Sequence, residues 1–118
     1  EYKHTTEILT DGYSEGITSY LSPEEFEDGR STWQSDMYSV GVLFYKMVTG
    51  SPPFTHENPV RIVEMHQEAP TPDLPERVPS TIRPVFYRLL NKDPDRRPTA
   101  KNVLSVLDLM GDLMEATT

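Results

Sequence analysis

The sequence predicts an all-α fold. Three observations carry that prediction: apolar residues recur at helical spacing through the second half of the chain, capping residues stand directly before prolines or acids, and the one strand expected is a short stretch at Glu7 to Leu9. With 118 residues, of which 36% are hydrophobic, the chain can bury one core, and its length excludes several domains.

Residues 1 to 21 mix Thr, Ser, Gly and acids without a period and read as irregular loop. Ser22-Pro23-Glu24-Glu25 then starts a short helix: Ser22 suits the N-cap, Pro23 the first helical position, and Glu25 closes a capping box. This helix should fade by Asp28-Gly29. From Asp36 to Thr49 the chain is apolar nearly all round, which predicts a helix in the middle of the domain, with Trp33 packed on its underside. Val40, Val42 and Phe44 would also suit a strand, but the length of the run and the stop at Gly50 favour helix. Asn58-Pro59 opens another helix to about Gln67, with Ile62, Val63 and His66 facing inward or toward a partner. Pro70, Pro72, Pro75 and Pro79 impose an extended connector. Ile82, Val85, Phe86, Leu89 and Leu90 fall on one helical stripe that Asp93-Pro94 ends. Thr99 caps the last helix, whose apolar face is expected to be Val103, Leu104, Leu107 and Met110.

The formal charge of −8 argues against nucleic acid or an anionic membrane surface as a partner of the chain as a whole. Residues 1 to 36 carry a net −7, so the acidity is an N-terminal property. Arg77 to Lys101 holds seven bases interleaved with apolar residues, the pattern of a solvated helix face plus a structural arginine rather than a phosphate groove. No apolar run approaches the ~20 residues of a membrane helix. The chain has no cysteine, which excludes a disulfide framework and a thiolate nucleophile and fits a reducing, cytoplasmic setting. Its glycines stand singly and its three histidines are widely spaced, so neither a phosphate loop nor a metal site is predicted, and no catalytic residue is assigned within the chain. It begins on Glu1 without methionine or signal peptide, which predicts a piece of a longer protein.

Four ordered stretches resemble the protein kinase family. Gly16-Ile17-Thr18-Ser19-Tyr20-Leu21-Ser22-Pro23-Glu24 is similar to the G-T-x-x-Y-x-A-P-E segment that closes the activation segment, and Ser35 to Val42 to the D-x-x-S-x-G helix. Thr49-Gly50-Ser51-Pro52-Pro53-Phe54 resembles the T-G-x-x-P-F turn, and Leu89 to Thr99 the L-L-x-x-D-P-x-x-R-P-T signature. The resemblance covers residues 16 to 107 and is to eukaryotic-like Ser/Thr kinases, a group with bacterial members.

That resemblance implies a partial kinase domain over 1–118, the helical lower half of the large lobe (22–118) preceded by an activation-segment loop (1–21). The parent would transfer the ATP γ-phosphoryl group, with Mg2+, to Ser or Thr of protein substrates. This chain alone would bind neither ATP nor Mg2+, because the glycine-rich loop, phosphate-binding lysine, catalytic loop and D-F-G do not occur in it. Gly16, Ile17, Thr18, Ser19 and Tyr20 would form the peptide-docking loop. Glu24 would pair with Arg97 and tie the activation segment to the last helices; read locally, Glu24 is a helix N-terminal acid. Asp36 would position the catalytic loop; read locally, it is a first-turn acid. Thr10 and Ser14 are candidate activating phosphosites, and Glu15, Glu24, Glu25, Glu27 and Asp28 would border a groove for basic peptides. The missing N-terminal part of the domain is the expected intramolecular partner. Ile17 stands where such kinases place threonine, which leaves open a noncatalytic helical interaction module or pseudokinase remnant.

Overall fold

The computed structural model describes residues 18–116. The strand expected at Glu7 to Leu9 lies outside them. Within them the chain forms α1 (Pro23–Asp28), α2 (Trp33–Thr49), α3 (Pro59–Glu68), α4 (Arg83–Leu89), a single 3-10 turn (Pro94–Arg96) and α5 (Ala100–Ala116), with no strand among the described residues. The helix starts follow local chemistry. Ser22 and Glu25 exchange the two bonds of a capping box at α1, and Thr32 with Ser35 makes a second box at α2. Asn58 accepts from the Val60 amide at α3, and the Thr99 hydroxyl accepts from the Asn102 amide at α5. Gly29 and Gly50 end α1 and α2 with φ of 72° and 91°, a left-handed turn that side chains with a Cβ disfavour.

The core sits between α2 and α4. Tyr38 and Val42 meet Leu74, Val78, Ile82, Phe86 and Leu90, while Met37, Val85 and Leu89 form a second cluster that Val103 and Val106 of α5 partly cover. Gly41 permits the close crossing: a Cβ there would stand 2.9 Å from both Leu89 Cβ and Leu90 Cδ2. The connector between α3 and α4 closes two backbone turns, Val78 N–H to Pro75 O and Ile82 N–H to Pro79 O, and is further held by an arginine. Arg83 donates from Nε to the Val78 carbonyl at 3.1 Å, from Nη1 to Leu74 at 3.3 Å, and from Nη2 to Pro75.

Three packing expectations are corrected. The helix α2 is not buried all round: Met37, Tyr38, Gly41 and Val42 face α4, but Val40, Leu43 and Met47 are exposed on the opposite side, because no described element covers it. Trp33, expected to pack beneath α2, is half exposed on the same helix. On α5, Leu104 and Leu107 face outward and Val103 and Val106 make the contact, a stripe rotated by part of a turn from the expected one. The Met110 side chain is outside the described set. Among the described residues, no helix is long and apolar enough to cross a membrane.

Candidate functional site

The start of α1 places Glu24 one residue inside a proline-initiated first turn, with its carboxylate directed at the loop between the 3-10 turn and α5. Arg97 meets it from there. Arg97 Nη1 donates to Glu24 Oε2 at 2.6 Å and Nη2 to Oε1 at 2.9 Å, a bidentate pair across 73 residues of sequence. The guanidinium side chain is fully buried, and its remaining donors are used on backbone: Nε on Asn91 O at 2.8 Å and Nη1 also on Gln34 O at 2.9 Å. Ser35 adds a hydroxyl donor to Glu24 Oε2 at 3.0 Å. Burial pushes the Glu24 carboxyl upward, but the Arg97 hydrogen bonds and charge, its own backbone N–H and Ser35 outweigh it, so the group is held below its usual range. A buried pair is favourable only when its spare donors and acceptors are satisfied in this way.

A second polar unit lies directly beneath. The Arg97 guanidinium covers the Tyr38 ring at 4.9 Å, and the Tyr38 hydroxyl meets His66 Nδ1 at 2.6 Å. Burial drives the phenol up. It also drives His66 down to about 4, helped by the charge of Lys92 and opposed by the backbone of Ser19 and Thr18. Lys92 is itself lowered to about 8 by burial and by Arg97. Its Nζ donates to the Met65 carbonyl at 3.3 Å and lies 4.8 Å over the Phe54 ring.

The loop before α1 is fastened to these helices. Thr18 and Ser19 are buried, and the Tyr20 carbonyl accepts from the Ser39 hydroxyl of α2 at 2.8 Å. Gly16, Ile17, Thr10 and Ser14 lie outside the described residues. Asp36 is exposed in the first turn of α2. Of the acids expected to attract basic peptides, Glu24 is taken by Arg97, and Glu25 by its capping box and the Ser31 hydroxyl at 2.9 Å. Glu27 and Asp28 remain exposed. Four of the seven bases have fixed partners: Arg77 reaches the Val48 carbonyl, Arg83 the connector, Lys92 the end of α3 and Arg97 the ion pair, while Arg88, Arg96 and Lys101 are exposed. Sequence reading missed the polar roles of Ser35, Tyr38, Arg83 and Lys92, and it placed His66 beside Ile62 and Val63 on one side of its helix without giving it a partner. Only His66 had a visible signal, a polar ring on a face already assigned.

A protein kinase domain profile matches residues 5–106. The chain belongs to the protein kinase family. It is 35% identical over 97 residues to the serine/threonine-protein kinase PkaA of Streptomyces coelicolor, covering 82% of this chain and 18% of that protein. It is 32% identical over 108 residues to the DNA damage-responsive serine/threonine-protein kinase RqkA of Deinococcus radiodurans, covering 89% and 16%. PknF of Mycobacterium tuberculosis is 34% identical over 84 residues, or 70% and 18%. The chain therefore spans less than a fifth of the length of these curated relatives. Kinases use ATP with Mg2+, and the residues described here do not fit either. Among them no group of three His, Asp or Glu could hold a metal ion, and the glycines stand singly rather than in a phosphate-cradling loop.

Proposed function

We propose that this chain is the part of a Ser/Thr protein kinase domain that ends the activation segment, docks the protein substrate and floors the large lobe. In the intact protein it would serve transfer of the ATP γ-phosphoryl group to Ser or Thr hydroxyls. Gly16 to Tyr20 form the docking loop in this reading, and Asp36, exposed at the start of α2, is available to hold the catalytic loop. Thr10 and Ser14 are the proposed phosphosites. The observation that carries the reading is the bidentate Glu24–Arg97 pair, which joins the S-P-E end of the first motif to the R-P-T end of the last. Such a clamp fixes where the loop enters the helices, and fixing that entry is what presenting a peptide hydroxyl to a distant reaction centre requires.

A second reading, a noncatalytic pseudokinase, is favoured by Ile17, whose side chain lacks the hydroxyl found at that position in similar kinases. Incubating the full-length protein with radiolabelled ATP, Mg2+ and a Ser/Thr peptide mixture separates the two. Label on Ser or Thr is the expected result. A folded protein that leaves the peptides unlabelled under these conditions would favour the pseudokinase.

A further inference from the structure

Helix α2 holds Tyr20, the last residue of the proposed docking loop, at two points. The Tyr20 carbonyl accepts from the Ser39 hydroxyl at 2.8 Å. Its ring is partly buried against the core cluster that contains Tyr38 and Val42, and Lys46 Nζ stands over it, 5.9 Å from the ring centroid. Ser39 and Lys46 are seven residues apart, two helical turns, so both project from one side of α2 about 10 Å from each other along the axis. The tyrosine thus leads from the loop's backbone to the lysine.

Lys46 is exposed, and among the described residues no carboxylate lies within ion-pairing distance of it and no acceptor takes its ammonium donors. Other bases are committed. Arg83, Lys92 and Arg97 donate to main-chain carbonyls or to Glu24, and Arg61 and Arg96 pair with Glu64 and Asp93. A lysine in the last turn of a helix also meets the negative end of the dipole. The dipole accounts for a cation anywhere in that turn but not for one set over the ring of the segment before α1. Two of the acids that would favour a basic peptide are meanwhile spent, Glu24 on Arg97 and Glu25 on its capping box.

We propose that Lys46 is a specificity-determining residue: its ammonium, held over Tyr20 at the edge of the docking loop, takes an Asp or Glu side chain of the protein substrate, so that acidic peptides are preferred over basic ones. This rests on the reading of residues 16 to 20 as the docking loop. The pair formed is an exposed one, so its preference is modest, about two- to fivefold, and weakens with salt.

Fluorescence anisotropy of labelled peptides on the full-length protein tests this without requiring turnover. Each peptide carries one serine among alanines, with Glu, Gln or Lys placed in turn at each of the four positions on either side. Wild type should bind the Glu peptide about two- to fivefold more tightly than the Gln peptide at one or more positions. Lys46→Gln should bring that ratio to about one, Lys46→Arg should keep it, and Lys46→Glu should turn the preference toward Lys. A Glu-to-Lys ratio that is the same in wild type and Lys46→Glu at every position overturns the proposal, as does a wild type that favours Lys throughout. If the charge reversal does not fold, Lys46→Gln decides: an undiminished Glu preference in that variant is the overturning result.

Tyr20→Ala separates the proposal from the reading beneath it. If the loop docks peptides, this variant weakens all of them, whatever their charge. Affinities that fall together in Tyr20→Ala while the charge ratio ignores Lys46 keep the docking loop and remove the role of Lys46. A ratio that follows Lys46 while Tyr20→Ala changes no affinity removes the docking loop and keeps the lysine's selectivity. A wild type that binds none of the peptides overturns both.

Discussion

The Arg97 guanidinium lies over the Tyr38 ring at 4.9 Å, so the Glu24–Arg97 ion pair and the Tyr38–His66 hydrogen bond share one wall. Loop, α2, α3 and the approach to α5 converge on that wall. A change at any of the four side chains is therefore felt by the other three, and their energies should not add.

Glu24→Ala or Arg97→Ala should each cost about 3 to 5 kcal/mol, because each leaves the other charge buried without its partner. Replacing both together, as Glu24→Leu with Arg97→Met, should recover most of that loss. Urea unfolding of these proteins and of the Glu24→Ala/Arg97→Ala double variant gives the coupling directly. Strictly additive single losses would show that the pair does not act as a unit.

Acid should act on His66 before it acts on Glu24. A folded value of about 4 lies below the usual histidine value of 6.5, so between the two the unfolded chain binds more protons and stability falls as pH drops. The loss across that window is roughly 3 kcal/mol at most. Glu24 is lowered too, so its contribution persists above the ordinary carboxylate range and disappears only as pH falls further, through its depressed folded value. Unfolding measured at intervals from pH 7 to pH 4 should show the slope, and His66→Gln should flatten it. A slope of the same size in His66→Gln would assign the effect to another group.

Tyr38→Phe removes one hydroxyl from a sealed site and leaves His66 Nδ1 without its hydrogen-bond partner. A loss of about 1 to 3 kcal/mol is expected. The thermal midpoint of the variant checks it, and a midpoint equal to wild type would mean that another polar group replaces the phenol.

Gly41→Ala sets two effects against each other. Alanine favours helix over glycine by about 1 kcal/mol. The new methyl, however, would meet Leu89 Cβ and Leu90 Cδ2 at 2.9 Å, and Leu89 Cβ cannot move without its backbone. Overpacking of this kind costs about 1 to 3 kcal/mol, so the net change should be destabilising. Denaturant midpoints decide the sign.

The helices were legible because their ends are marked locally. Ser22-Pro23 and Asn58-Pro59 announce starts, Gly29 and Gly50 announce stops, and the stripe Ile82, Val85, Phe86, Leu89, Leu90 is buried throughout. Which side of α2 and α5 would be covered was not legible, since Leu43 or Leu104 is as apolar as a buried neighbour and only the partner's position separates them. The joining of Glu24 to Arg97 was reached through the family resemblance and not through spacing, which says nothing at a separation of 73 residues. Tyr38 and His66 are 28 apart and carry no shared motif. Arg83 and Lys92 were hidden for a different reason: their acceptors are main-chain carbonyls, which every residue possesses.

The same 73-residue separation orders events on the ribosome. At about 5 to 20 residues per second, Glu24 is synthesised roughly 4 to 15 s before Arg97. Through that interval the carboxylate has only water, its own turn and Ser35 for company, and Tyr38 has no cation above it. The capping boxes of α1 and α2 can close as soon as they emerge, whereas the entry of the loop into the helices waits for nearly the whole described chain. The nascent protein thus leaves the segment before α1 unfastened until the residues that hold Glu24 have been made.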